Sequence, residues 1–211
     1  MTVTDSKVIK RLLGVDVYLI DLILEGRFAS GSRIVDLGAG GGRNLTWFLS
    51  SEAAYDVHVV EPNAELLHAF KDRQAQLGVD LPEENIHRCT IEDCTLEARS
   101  FDLVILNAVL HFARDEEHFA ELFRRAFDLV AAGGVFFARL ATTIGIESFV
   151  GGSASGWYSL PDGTQRFLAD EALVRSETQR AGAKWVRPFK STLVERQRTM
   201  STWVLSRPAH P

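Results

Sequence analysis

Arg33-Ile34-Val35-Asp36-Leu37-Gly38-Ala39-Gly40-Gly41-Gly42-Arg43-Asn44 is the stretch that decides the fold. A short apolar run flows into four glycines within five residues, and Leu45, Phe48 and Leu49 follow at helical spacing. A strand, a glycine turn and a helix in that order bring backbone amides against a ligand, because side chains there would block the approach. Two common versions of the turn do not fit. The dinucleotide fingerprint needs a glycine at 43, where arginine stands, and the phosphate-cradling loop needs Gly-Lys-Ser/Thr, which is absent. What is present is an acid, Asp36, two places before G-x-G-x-G. A carboxylate there suits a cationic ligand better than a pyrophosphate; its structural alternative is a partner for the helix dipole.

The pattern repeats outward from this turn. Upstream, Val8, Leu12, Val15, Leu19, Leu22 and Ile23 recur at spacings of three and four, which predicts one amphipathic helix over residues 6–26. Downstream, residues 56–60 read as a second strand ending at Glu61-Pro62, and Asn63 caps a helix presenting Leu66, Leu67, Phe70 and Leu77. Residues 86–90 make a weak third strand and 101–106 a fourth, apolar on both faces. Asp115 caps a helix with Phe119, Leu122, Phe123, Ala126 and Val130 inward, stopped by Gly133-Gly134, before a fifth strand over 135–140. This alternation predicts an α/β fold: a doubly wound, Rossmann-like, mostly parallel sheet. Residues 141–167 are rich in Gly, Ser and Thr and read as a functional lid. A helix over 169–181 follows, and the runs 185–194 and 200–205 predict an antiparallel C-terminal hairpin on the sheet edge.

Composition sets the bounds. The 211 residues are 46% apolar and 24% charged, with mean hydropathy near zero, as for a globular protein with a real core. One domain over 1–211 is expected, with 1–28 as an N-terminal helical cap and 141–168 as a lid insertion. No window approaches the roughly 18 uninterrupted apolar residues of a membrane span. Residues 12–24 are interrupted by Asp16 and Asp21 and lack a cleavage pattern, so no signal peptide is read. Cys89 and Cys94 are too few for a disulfide framework or a self-contained zinc site, which sets the expectation of a reducing, cytoplasmic setting without a metal. The net charge of −5 is uneven: from Arg175 onward eight basic residues face two acids, a local +6 against −11 in the rest. Such a tail is either a protected strand edge or a surface for an anionic partner.

With these residues in place, the chain resembles the class I S-adenosylmethionine-dependent methyltransferases from Arg33 to about Leu140. The resemblance implies that Gly38, Gly40 and Gly42 let the methionine part of S-adenosylmethionine lie against backbone, with Asp36 nearby. It implies that Glu61, at the end of the second strand, accepts hydrogen bonds from the ribose hydroxyls. Ser100-Phe101-Asp102 matches the family's start of strand four, and this alignment puts Thr90 where an adenine-contacting acid usually stands. The Ile91 backbone and Glu92 or Asp93 are the nearest substitutes. The segment from Asn107 to Phe112 matches the stretch lining the methyl-donor region, and Ala131-Ala132-Gly133-Gly134 the turn into strand five. Gly42-Arg43-Asn44 and the Arg-rich final hairpin are also similar to the tellurite-resistance (TehB-like) methyltransferases.

The expected chemistry is methyl transfer from a sulfonium to a small-molecule acceptor by in-line displacement, which depends chiefly on alignment and exclusion of water. A base is needed only for an acceptor protonated at working pH. His111, after strand four, is the first candidate for it, its structural alternative being a packing histidine. Arg43 is a catalytic candidate that would grip an anionic acceptor or the cofactor carboxylate, and Tyr18, Tyr158, Asp162 and Arg198 are possible substrate contacts. The alternatives are an RNA methyltransferase using the basic tail beside Trp185 and Phe189, and a non-catalytic cofactor-binding protein. The acidic body argues against nucleic acid, and the intact Asp36, glycines and Glu61 argue against the latter.

Overall fold

In a computed structural model, residues 11–151, 156–161, 163–195 and 197–209 are described. Val8, Asp162 and Arg196, which the sequence reading singled out, lie outside them. The elements run α1 (Val17–Leu24), β1 (Arg33–Leu37), α2 (Thr46–Ser50), β2 (Asp56–Val60), α3 (Ala64–Leu77), β3 (Ile86–His87), β4 (Phe101–Asn107), α4 (Glu116–Asp128) and β5 (Val130–Thr142). They continue with β6 (Trp157–Ser159), β7 (Gln165–Phe167), α5 (Glu171–Arg180), β8 (Lys184–Trp185), β9 (Lys190–Val194) and β10 (Arg198–Ser206).

The main sheet has the order β3-β2-β1-β4-β5-β10-β8, with β9 also on β10. The first five strands are parallel, and β10 runs antiparallel to β5, β8 and β9. Strand order reverses between β1 and β4, and in such sheets the crevice at the carboxyl ends of the strands is where ligands bind.

Why the strands read as continuous apolar runs is visible in the core. Val35 and Leu37 of β1, Val104 and Leu106 of β4, and Phe136 and Ala138 of β5 point to the face covered by α4 and α5. Ile34, Leu103, Ile105, Val135 and Phe137 point to the other, where Leu19 and Leu22 of α1, Phe48 of α2 and Phe70 of α3 cover them. Both faces are therefore buried, as a parallel sheet between helix layers requires. Asn63 and Asp115 cap their helices as expected, each side chain accepting first-turn N–H groups.

Four readings need correction. The single helix over 6–26 is broken: Gly14 takes a φ of +84° and Asp16 starts α1 afresh by accepting from Tyr18 N at 3.0 Å. The third strand stops at His87, not at residue 90, because Thr90 turns the chain locally, its hydroxyl bonding Asp93 at 2.9 Å. Gly133 and Gly134 do not stop α4, which ends at Asp128; they form a bulge in β5 between the pairs Phe101–Val130 and Leu103–Val135. A Cβ on Gly134 would sit 2.8 Å from the Phe101 carbonyl. Residues 141–168, expected as a lid insertion, hold elements that their composition did not signal: β5 extends into them, β6 and β7 pair, and Ile146, Val150, Leu160 and Leu168 form a small core. The C-terminal hairpin stands where it was expected, β9 and β10 pairing antiparallel at the end of the sheet beyond β5, with the short β8 also on β10.

Trp203 of β10 is fully buried, stacks on Phe123 at 4.3 Å and donates its indole N–H to Thr178 Oγ1 at 3.0 Å. Trp203→Ala is therefore expected to lower unfolding free energy by about 3–5 kcal/mol in urea titrations; a loss below 1 kcal/mol would contradict this packing.

Candidate functional site

The glycine turn folds over the end of β2, with Gly38 N and Ala39 N donating to the Val60 carbonyl at 2.8 and 3.2 Å. Its glycines are there for different reasons. Gly38, at φ +69°, lies so close to Val109 that a Cβ would come within 2.6 Å of that side chain. A Cβ on Gly42 would strike the Phe70 ring. Gly40, at φ +56°, has open space where a Cβ would be. Packing thus excludes side chains at 38 and 42, while Gly40 keeps the cavity open. From below, Arg73 Nε donates to the Gly41 carbonyl at 2.6 Å and holds the turn on α3.

Glu61 faces the turn at 5% exposure. Its Oε2 accepts from Gly40 N at 2.8 Å and its Oε1 from Asn63 N at 3.0 Å, so two amides fix the carboxylate while each oxygen keeps a lone pair. Asp36 sits behind the turn, buried, with Oδ2 lacking any hydrogen-bond partner among the described residues. Burial pushes its pKa up to about 8, Arg43 opposing and the Glu61 charge adding to the rise.

A cavity of about 600 Å³ opens in front of the turn. Gly38, Gly40, Arg43, Glu61, Ile91, Glu92 and Asn107, all expected site residues, line it. Asp36 and Gly42 do not; they support its wall from behind. Of the substitutes for the missing acid, Ile91 and Glu92 border the cavity and Asp93 does not. Glu92 is already engaged: its Oε1 lies 2.8 Å from His118 Nε2. Because His118 Nδ1 accepts from Arg114 N at 3.0 Å, the ring proton of the neutral tautomer belongs on Nε2 and is donated to Glu92. Burial raises the Glu92 pKa, but the His118 and other hydrogen bonds outweigh it and hold the carboxyl below its usual range. Cys89 also borders the cavity, its thiol pushed up to about 12 by burial and by Cys94, so it stays protonated.

A second cavity, of about 340 Å³, adjoins the first, and Arg43, Asn107 and Ala108 line both. Ala108 takes a left-handed φ of +63°, a conformation unusual for a residue with a Cβ. His111 belongs to this second cavity and not the first. It is buried, its Nδ1 has no partner among the described residues, and burial with a smaller push from Arg166 lowers its pKa to about 4. Arg139, Arg166 and Arg198 complete the basic lining. The one carboxylate among the described residues that line it, Asp16, accepts from Arg139 at 2.8 Å and from Asn107 Nδ2 at 3.3 Å, and its backbone N–H donates to Asn44 Oδ1 at 3.1 Å.

Sequence reasoning missed Arg73, His118, Asp16, Arg139 and Arg166. Asp16 carried a signal, an acid just before a helical run, but it was read as an interruption. The others lie far from any motif. Of the possible substrate contacts, Arg198 lines the second cavity, whereas the Tyr18 hydroxyl bonds Thr192 at 3.0 Å and Tyr158 borders a different hollow. No group of three or more His, Cys, Asp or Glu among the described residues is placed to hold a metal, and no helix there is long and apolar enough to cross a membrane.

Residues 35–138 match the family described as a methyltransferase domain. No curated protein matches the sequence. Among solved structures, an S-adenosylmethionine-dependent methyltransferase from Clostridium acetobutylicum superposes with a TM-score of 0.69 at 12% identity, over 90% of this chain and 89% of that one. A Burkholderia thailandensis 1,6-didemethyltoxoflavin-N1-methyltransferase, solved with 1,6-didemethyltoxoflavin and S-adenosylhomocysteine, gives 0.65 at 16% identity over 95% and 81%. The cyclase SpnF shares the fold at 0.65 and 12% identity over 90% and 80%.

The Asp36 carboxyl predicts a pH signature. Its folded pKa of about 8 lies above the ordinary 3.8, so its contribution to stability is complete below about pH 4 and is lost as pH rises through 8. Asp36→Asn escapes that loss. Its stability relative to the unsubstituted protein should therefore climb between about pH 4 and 8 and level off above; urea midpoints whose difference is flat with pH would contradict the burial of an unpaired carboxyl.

Proposed function

We propose that the chain, which matches the methyltransferase-domain family over residues 35–138, is a class I S-adenosylmethionine-dependent methyltransferase that transfers the cofactor's methyl group to a small-molecule acceptor by in-line displacement. The observation that carries this reading is the junction of two cavities at Arg43, Asn107 and Ala108. The larger has the volume of a cofactor pocket and the smaller that of a compact metabolite site.

The residues present fit the cofactor. Glu61 offers fixed carboxylate lone pairs to the ribose hydroxyls, and the open flank of Gly40 leaves room for the methionine part along the backbone. Asp36 lies behind that backbone, and the Ile91 amide and Glu92, held by His118, border the place for the adenine. Asn107, fixed by Asp16, faces the junction. When bound, the cofactor supplies an electrophilic methyl carbon on a positively charged sulfur that leaves as a neutral thioether. The protein aligns the acceptor with that carbon and keeps water out. His111, neutral at pH 7 and bordering the second cavity, is the candidate to take a proton from an acceptor that carries one. Arg43, bordering both cavities, steadies the negative charge of the cofactor carboxylate or of the acceptor.

The RNA alternative loses its main support because the basic tail spends its charge locally. Arg175 and Arg180 pair with Glu171 and Glu177 on α5, Arg187 with Glu25, and Arg207 donates to the carbonyls of Phe127 and Val130. Trp185 and Phe189 pack on each other at 6.0 Å and against the core.

Calorimetric titration should show binding of S-adenosylmethionine and none of NAD; the reverse would overturn the assignment. Glu61→Gln should weaken cofactor binding by about 1.5–3 kcal/mol, the worth of a charged hydrogen bond, and an effect below twofold would remove Glu61 from the site. Gly40→Val should abolish binding while the protein stays folded by circular dichroism. Undiminished affinity would count against the open flank as the cofactor's place.

A further inference from the structure

We propose that the second cavity is a site for an organic anion, and that the methyl acceptor is a compact molecule carrying a carboxylate or a similar oxyanion on an apolar body. This rests on the cofactor reading for the term acceptor, but the anion site itself stands on the cavity's own residues. Four guanidinium groups reach it from four separate places: Arg43 after the glycine turn, Arg139 on β5, Arg166 on β7 and Arg198 on β10.

Their partners show what is missing. Asp16 neutralises Arg139 at 2.8 Å and is itself buried. Among the described residues Arg43 donates to the Gly14 carbonyl alone, at 3.1 Å. Arg166 donates to its neighbour's carbonyl and lies over the Phe112 ring at 5.0 Å. The Arg198 side chain has no hydrogen bond or ion pair among the described residues. Among the described residues, three cations without a carboxylate partner thus share one hollow with a buried, neutral histidine. Like charges gathered this way repel one another unless an anion completes the set, and the planar fork of arginine matches an oxyanion with two parallel N–H groups. Ala141, Leu160 and Met200 add apolar atoms to the same lining, which a bare inorganic ion would leave unused. The 340 Å³ admits a small organic molecule and no polymer.

The test uses the full-length protein and three probes: benzoate, its neutral isostere benzamide, and inorganic sulfate, titrated calorimetrically or by ligand-detected magnetic resonance. Benzoate should bind in the millimolar range, benzamide should not, and sulfate should bind more weakly than benzoate. Arg166→Gln combined with Arg198→Gln should weaken benzoate at least about tenfold, while Arg175→Gln, outside the cavity, leaves it unchanged. Titration of S-adenosylmethionine into the same double variant reports separately on the first cavity and on folding. Equal binding of benzoate and benzamide, or benzoate binding indifferent to the double substitution in a variant that still binds the cofactor, overturns the anion site. Sulfate binding more tightly than benzoate overturns its organic character. Loss of cofactor binding by the unsubstituted protein overturns the methyltransferase reading and leaves the benzoate result to decide the anion site alone.

Discussion

The buried carboxylate of Asp16 joins the parts on which the site depends. One oxygen starts α1 by accepting from Tyr18 N, and the other receives Asn107 from the end of β4 and Arg139 from β5. Its backbone N–H meets Asn44 beyond the glycine turn. The chain before the first strand is thereby drawn across the carboxyl ends of the strands. Asn107 is held where the two cavities meet, and Arg139 is neutralised at the wall of the second. Without that carboxylate a largely buried guanidinium and a buried amide would lose their partner, a costly arrangement in a low-dielectric setting.

The sheet explains why the junction lies where it does. Reversal of strand order between β1 and β4 opens a crevice, and the glycine turn leaving β1 and the segment leaving β4 form its sides. Val109 packs against Gly38 and Phe70 against Gly42, so the turn is shaped by the protein at two glycines and left open at Gly40. Beyond β5 the β6–β7 hairpin is anchored, with the Trp157 indole donating to the Arg114 carbonyl at 2.7 Å and Phe167 stacked on Phe119 at 5.5 Å. That anchoring carries Arg166 and Leu160 to the second cavity.

Much of the fold was legible because its determinants are local. β1 and β2, the caps at Asn63 and Asp115 and the glycine turn are each set by residues within a few positions of one another. The broken first helix was not, because the apolar period continues across Gly14 and hides the new start at Asp16. The Gly133-Gly134 pair read as a helix stop because the need it meets, room for the Phe101 carbonyl, lies on another strand. For the candidate site, the turn followed from a local run of residues and Glu61 from the family resemblance, while His118 and the arginines at 43, 139, 166 and 198 are brought together only by topology. Charge counting pointed to the C-terminal tail, yet several of its cations are paired on the surface. The unpaired ones in the second cavity come mostly from the nominally acidic body.

The fold is shared with a cyclase as well as with methyltransferases, so the chemistry rests on how the two cavities are used. A crystal structure with S-adenosylhomocysteine tests that most directly. The account predicts the ribose hydroxyls on Glu61, the amino-acid part along Gly40, and the sulfur facing the second cavity between Asn107 and Ala108. A nucleoside bound away from Glu61, or a sulfur turned from the second cavity, would contradict it.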